Sequence, residues 1–122
     1  MPAVTIEGGD LVVRLKPLEQ LAAFRFGTLR VPLSSVTGAM AAPDAWKELR
    51  GIRAPGTGLP GVIAYGTRRF GGGKDLALVS GGRRPGLRVD FADGAPYSRL
   101  VATVESPEST AADIRRAAGL DT

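Results

Sequence analysis

Residues 86–119 constrain the fold most, because every local signal in this stretch indicates the same structure. Apolar and polar side chains alternate from Leu87 to Phe91 and again from Tyr97 to Val104, with the turn signal Asp93-Gly94 between the two runs. Ser106-Pro107-Glu108 then begins a helix with a capping hydroxyl, a proline at the first helical position and an acid in the first turn. The stretch therefore predicts a β-hairpin followed by one C-terminal helix. The predicted core residues are Leu87, Val89, Phe91, Leu100, Ala102 and Ile114.

Upstream of this stretch, the same alternation predicts two further hairpins and one separate strand. The hairpins cover residues 4–15 and 62–80, and each turns at consecutive glycines. The strand Thr28–Val36 contains Pro32, which cannot donate a hydrogen bond to a neighbouring strand. We therefore expect this strand at the edge of a sheet.

Proline and glycine positions predict what lies between the strands. Pro17 begins a short helical stretch, and Pro43–Arg50 is predicted to be a second helix of about two turns. In that helix Trp46 and Leu49 would share the buried side, so Trp46 is interpreted as a core anchor in preference to a ligand-stacking residue. Gly51–Gly61 is rich in proline and glycine, which predicts a loop.

Composition restricts the chemistry that the chain can perform. The 122 residues fit a single domain, residues 1–122, and contain neither cysteine nor histidine. Without imidazole and thiol groups the commonest general bases, nucleophiles and transition-metal ligands are missing. We therefore expect a protein that is not an enzyme, with no catalytic, cofactor-binding or metal-binding residues.

The distribution of apolar residues predicts a cytoplasmic protein. The first residues, Met1-Pro2-Ala3-Val4, lack the basic segment and apolar run of a signal peptide. No apolar run approaches the roughly 20 residues that a transmembrane helix needs.

Positive charge is concentrated in the middle of the chain. The segment Arg50–Arg84 contains seven basic residues and one acid, a balance of +6, whereas the rest of the chain has a balance of −2. Such asymmetry is typical of an anion-binding surface, although arginines at hairpin ends also serve simply to keep sheet edges soluble. The candidate anion or partner surface consists of Arg53, Arg68, Arg69, Lys74, Arg83 and Arg84.

Three segments resemble the small bacterial pleckstrin-homology-like domains: Leu29–Val36, Leu87–Phe91 and Leu100–Glu108. The resemblance implies a mainly β fold with helices. In that fold, a seven-stranded antiparallel barrel or sandwich is capped by the C-terminal helix and carries one or two short inserted helices. Such folds serve many functions, so the resemblance does not identify a ligand.

These observations favour a non-catalytic interaction or scaffold domain that binds a protein partner or itself, as a homo-oligomer. The open sheet edges expected of such a domain are the reason for considering self-association. The alternative is an anionic-ligand module that holds phospholipid headgroups or nucleic acid on the Arg50–Arg84 surface. On this alternative, contact with anionic lipid or polyanions would be weak.

Overall fold

The protein is a mainly β structure with two α-helices, which the computed structural model describes for residues 2–23, 27–50, 52–59, 63–71 and 73–120. The strands of these ranges are β1 (Ala3–Glu7), β2 (Asp10–Arg14), β3 (Leu29–Pro32), β4 (Val36–Ala42), β5 (Ile52–Leu59), β6 (Ile63–Phe70), β7 (Gly73–Ser80), β8 (Gly86–Phe91) and β9 (Arg99–Ala102). The α-helices are α1 (Pro17–Ala23) and α2 (Pro107–Ala117), and two 3-10 helices cover Leu33–Ser35 and Ala45–Glu48. No helix in the described ranges combines the length and the apolar character needed to cross a membrane.

The strands form two separate sheets. One sheet is antiparallel, in the order β1-β2-β3, and the other has six strands in the order β4-β8-β9-β7-β6-β5. In the second sheet β7 and β9 run parallel, while the other neighbours are antiparallel. Within the described residues no ladder joins the two sheets, so they do not close into a barrel.

The predicted count of seven antiparallel strands is corrected to nine strands with one parallel pair in the described part of the chain. The parallel pair arises because β8 does not return alongside β7. Gly81 and Gly82 between them have φ angles of 77° and 78°, a left-handed conformation that favours glycine. The chain starts β8 two positions away from β7, and β9 then fills the position between them.

Two other predictions upstream of β6 are also corrected. The segment Gly51–Gly61, predicted as a loop, contains β5, whose register with β6 slips between Arg53 and Gly56. The predicted strand Thr28–Val36 is β3 followed by a 3-10 helix and the start of β4. Pro32 does lie in an edge strand, as expected, because among the described strands β3 pairs with β2 alone.

The main core lies between the sheets and α2. All six predicted core residues are buried in it, and Ile114 of α2 is only 1% exposed. Helix α2 packs on β4 and β8. Its N-cap residue is Ser106, as predicted, but the Ser106 hydroxyl makes no capping hydrogen bond. Gly119 follows the helix with a φ of 75°, the left-handed conformation predicted for its end.

A smaller core covers the other face of the six-stranded sheet. Ala64, Val79 and Val101 of three neighbouring strands are buried beneath Ala45, and Trp46 and Leu49 pack against them. The predicted helix Pro43–Arg50 is here only a 3-10 helix, whose N-cap carboxylate at Asp44 accepts from the Trp46 backbone N–H at 3.0 Å. Trp46 is a core anchor, and its indole Nε1 donates to the Gly82 carbonyl oxygen at 3.1 Å.

Candidate functional site

The described residues of the predicted anion surface have different surroundings in the fold. Arg83 donates to the Asp44 carboxylate at 2.7 Å. Arg68 is half-buried and its Nε donates to the Arg50 carbonyl oxygen at 3.1 Å. The Arg53 side chain lies outside the described residues. The remaining three candidates line two different pockets.

Much of the positive charge near the Arg50–Arg84 segment is neutralised by a charged row on the six-stranded sheet. The row lies on the face of the sheet that carries the smaller core. Register places four charged residues side by side on four adjacent strands, in the order Arg68, Asp75, Arg99 and Asp90. Arg99 donates to Asp90 at 2.8 Å. Opposite charges that face each other on neighbouring strands stabilise a sheet, so this row has a structural role.

Arg50 completes the charged row by binding its most buried member. The Asp75 side chain is 2% exposed, and Arg50 donates to its two oxygens at 2.8 and 2.9 Å. These hydrogen bonds raise the pKa of the Arg50 guanidinium. A buried carboxylate requires such compensation, so the guanidinium of Arg50 is already engaged with a protein group.

Arg84 lies in a pocket where acids outnumber it. This pocket of about 540 Å³ adjoins the start of α2, and Glu105 and Glu108 line it together with Arg84. Two carboxylates beside one guanidinium oppose the binding of an anion. Arg84 therefore does not belong to the candidate site.

Arg69 and Lys74 remain, and they come together at a pocket of about 610 Å³. It lies between the β6–β7 hairpin and the loop from β8 to β9. Arg69 and Lys74 are opposite each other in the β6–β7 register. We call this cavity the hairpin pocket; its lining residues are Arg69, Gly71, Gly73, Lys74, Ala92, Asp93, Gly94, Ala95, Pro96, Tyr97 and Ser98.

Backbone hydrogen bonds fix the loop wall of the hairpin pocket. The Ser98 N–H donates to the Lys74 carbonyl oxygen at 2.7 Å, which ties the end of the loop to β7. At the start of the loop, the Ala92 N–H donates to the Ser35 carbonyl oxygen at 2.7 Å. Gly94 has a φ of 93°, which explains why the turn signal Asp93-Gly94 sits here. Both ends of the loop wall are therefore held by hydrogen bonds within the protein.

The electrostatics of the hairpin pocket favour negative ligands. Two cations and one carboxylate, Asp93, line it. Lys74 Nζ lies 5.1 Å from the centre of the Tyr97 ring, within the range of a cation–π contact. Like charges directly opposite on adjacent strands repel each other, so Arg69 and Lys74 leave a positive potential that an anion would relieve.

Sequence reasoning found the two cations of the hairpin pocket and missed its other wall. The loop 92–98 is about 20 to 30 positions away in the chain, and only the turn signal marked it. Tyr97 is 5% exposed, so it packs in the core and also lines the pocket. In the described part of the chain, no group of three or more His, Cys, Asp or Glu side chains could hold a metal ion.

Comparison of the chain with protein-family models, with curated proteins and with solved structures finds no match in any of the three. The relation to pleckstrin-homology-like domains therefore stays a prediction from order and spacing.

Proposed function

We propose that this protein is a non-catalytic binding domain whose hairpin pocket takes an anionic group, such as the phosphate of a lipid headgroup. The observation that carries the proposal is the Arg69–Lys74 pair, two cations in register on the wall of a 610 Å³ pocket. The carboxylates of the charged row support the proposal further, because they bind other arginines. Asp75 accepts hydrogen bonds from Arg50, and Asp90 accepts them from Arg88 and Arg99.

The size and shape of the pocket favour a headgroup over nucleic acid. Ligand pockets of roughly 300–1,000 Å³ enclose small molecules. Nucleic acid needs an extended basic surface that follows many phosphates. The described basic residues of the Arg50–Arg84 segment are dispersed and partly paired, so the concave pocket is the better supported site.

Pleckstrin-homology-like architecture remains part of this proposal. Hairpins followed by a C-terminal helix on the core support it. The nine described strands and the parallel pair β7–β9 depart from the plan that the resemblance implies.

Vesicle co-sedimentation tests the pocket. We expect binding to phosphatidylcholine vesicles that contain phosphatidylserine, and none to phosphatidylcholine alone. Binding should weaken as salt rises, because the Debye length falls from about 10 Å at 0.1 M to about 3 Å at 1 M. Each basic residue at the membrane surface contributes about 1 kcal/mol, so Arg69→Ala with Lys74→Ala should weaken binding roughly thirtyfold.

The matched control is Arg83→Ala, which removes an exposed arginine of the same segment from outside the hairpin pocket. It should bind as the wild type does. A loss of binding free energy in the control about half that in the double variant, one charge against two, would show that only net charge matters and would refute the pocket. Competition by soluble inositol hexakisphosphate separates a free phosphate ligand from one that requires a membrane.

Binding of a protein partner or of a second copy is the other function that the sequence suggests. A different feature supports it, the backbone edge of β1, which has no second neighbouring strand in the described part of the chain.

A further inference from the structure

Three of the four sheet edges carry a feature that discourages pairing with another strand. Helix α2 packs on β4, where Arg115 donates to the Ala39 carbonyl oxygen at 2.9 Å. Strand β5 contains Pro55 and a register shift, and β3 contains Pro32. Proline, bulges and a covering helix are the usual means by which a sheet edge avoids further pairing.

The fourth edge, β1, has neither a proline nor a register shift, although α2 also contacts this strand. It contains no proline, and it pairs with β2 in an unbroken antiparallel register over all five residues. Its other side has no neighbouring strand in the described part of the chain. This edge is therefore competent to pair with an additional strand.

A groove runs along the free side of β1, between the strand and α2. Two adjoining cavities of about 350 and 360 Å³ share Val4, Thr5 and Thr110 in their walls. Successive residues of a strand point to opposite faces, yet every residue from Ala3 to Ile6 lines one or both cavities. The groove thus follows the backbone edge and not one face of β1.

We propose that β1 is a self-association edge, at which the β1 strands of two copies pair antiparallel about a two-fold axis at Thr5. In this register Val4 faces the partner's Ile6, and Ala3 faces the partner's Glu7. The arrangement is isologous, so each contact occurs twice. It joins the two three-stranded sheets into one continuous sheet across the axis.

Apolar complementarity supports a second copy as the occupant. Ile6 is 37% exposed, an uncommon position for a large apolar side chain, and Val4 is half-buried. Both lie on the face of β1 that looks towards the core residues of β2, Leu11 and Val13. Pairing would bury the exposed part of Ile6 against the partner's Val4 on each side of the axis.

Charge complementarity supports the same register. Within one chain, Arg14 donates to Glu7, although the register places the two residues on adjacent strands and four positions apart. At the spacings of a β-sheet, the backbone positions of Arg14 and Glu7 are about 14 Å apart. In the dimer, the small Ala3 would separate Arg14 from the partner's Glu7 by two strand spacings, about 10 Å, which is within the same reach. No like charges meet, since Glu7 faces an alanine.

Sedimentation velocity of the full chain tests the proposal. We expect the wild type to be dimeric at high micromolar concentration. Ile6→Lys places a charge at the pairing edge and should raise the dimer dissociation constant about tenfold or more, because the change occurs on both sides of the axis. The matched control is Met40→Lys, since Met40 is 40% exposed on the edge strand β4 and lies outside the proposed interface.

Amide hydrogen exchange of the wild type gives a second measurement that does not depend on a variant. Protection of residues 3–7 should increase with protein concentration, whereas protection of β5 should not. A wild type that stays monomeric, or an Ile6→Lys variant that dimerises as the wild type does, would overturn the proposal. So would equal loss of dimer in Met40→Lys. The hairpin-pocket double variant should dimerise normally, which separates this proposal from the anion site.

Discussion

Replacing Arg50 with methionine should destabilise the fold, because it removes the bidentate partner of a buried carboxylate. Arg50 donates to both Asp75 oxygens, and the Asp75 side chain is only 2% exposed. Breaking a fully buried ion pair from one side commonly costs about 3–5 kcal/mol, and this pair is buried on the carboxylate side, whereas the Arg50 side chain is 38% exposed. The neighbouring cations Arg68 and Arg99 stand beside Asp75 in the register and offset part of that cost. We therefore expect a loss of about 2–3 kcal/mol in the free energy of unfolding.

Urea denaturation monitored by circular dichroism measures this loss directly. For a domain of this size, about 2–3 kcal/mol corresponds to a fall of roughly 10 °C in the melting temperature. The double variant Arg50→Met with Asp75→Leu should recover much of the stability, because it removes both charges together. Recovery of this kind separates the cost of an unpaired carboxylate from a general loss of packing.

The matched control is Arg83→Met, which breaks an ion pair with Asp44 whose arginine is 64% exposed. Exposed pairs contribute about 0–1 kcal/mol, so this variant should melt close to the wild type. If Arg50→Met and Arg83→Met destabilised equally, or if Arg50→Met had no effect, the reasoning about the buried carboxylate would be refuted.

Two further predictions concern single contacts. Hydrogen bonds from Arg14, the larger cause, and from Thr5, with the charge of Arg30, lower the pKa of Glu7 to about 2, so the stabilising contribution of Glu7 is complete above the ordinary value of 4.5 and is lost as pH falls towards 2. NMR titration should show that midpoint in the wild type and a midpoint shifted towards 4.5 in Arg14→Ala, in which Thr5 and Arg30 remain; equal midpoints would contradict the contact. Gly86→Ala would place a Cβ 2.7 Å from that of Ala45, so we expect a loss of about 1–3 kcal/mol in denaturation, partly restored by adding Ala45→Gly.

The hairpin of β8 and β9 and the helix α2 could be predicted from sequence because their signals are local. Alternation, the turn Asp93-Gly94 and the proline at the first helical position act within a few residues of the structure they produce. Strand β5 could not be predicted in this way. Its one proline and two glycines have low intrinsic strand propensity, and it is a strand because β6 supplies the hydrogen bonds along one side.

The predicted anion surface also combines a part that sequence could show with a part that only the tertiary structure could show. Sequence identified a segment with a surplus of basic residues, but a count along the chain does not show which carboxylates face them. Arg83 meets Asp44 from 39 positions away, and Arg50 meets Asp75 from 25 positions away. Of the predicted candidates, the structure leaves Arg69 and Lys74 together at the hairpin pocket, whose opposite wall comes from the loop 92–98.

The sequence by itself therefore determined the mainly β character with helices, the edge position of Pro32, the hairpin and α2, and the residues of their shared core. Each of these depends on periodicity or on turn and capping chemistry, which act over short distances in the chain. The tertiary structure alone decided the two-sheet arrangement, the parallel pair β7–β9, the charged row and the hairpin pocket. Those features depend on which distant segments become neighbours, and that is settled by packing and strand pairing across the whole chain.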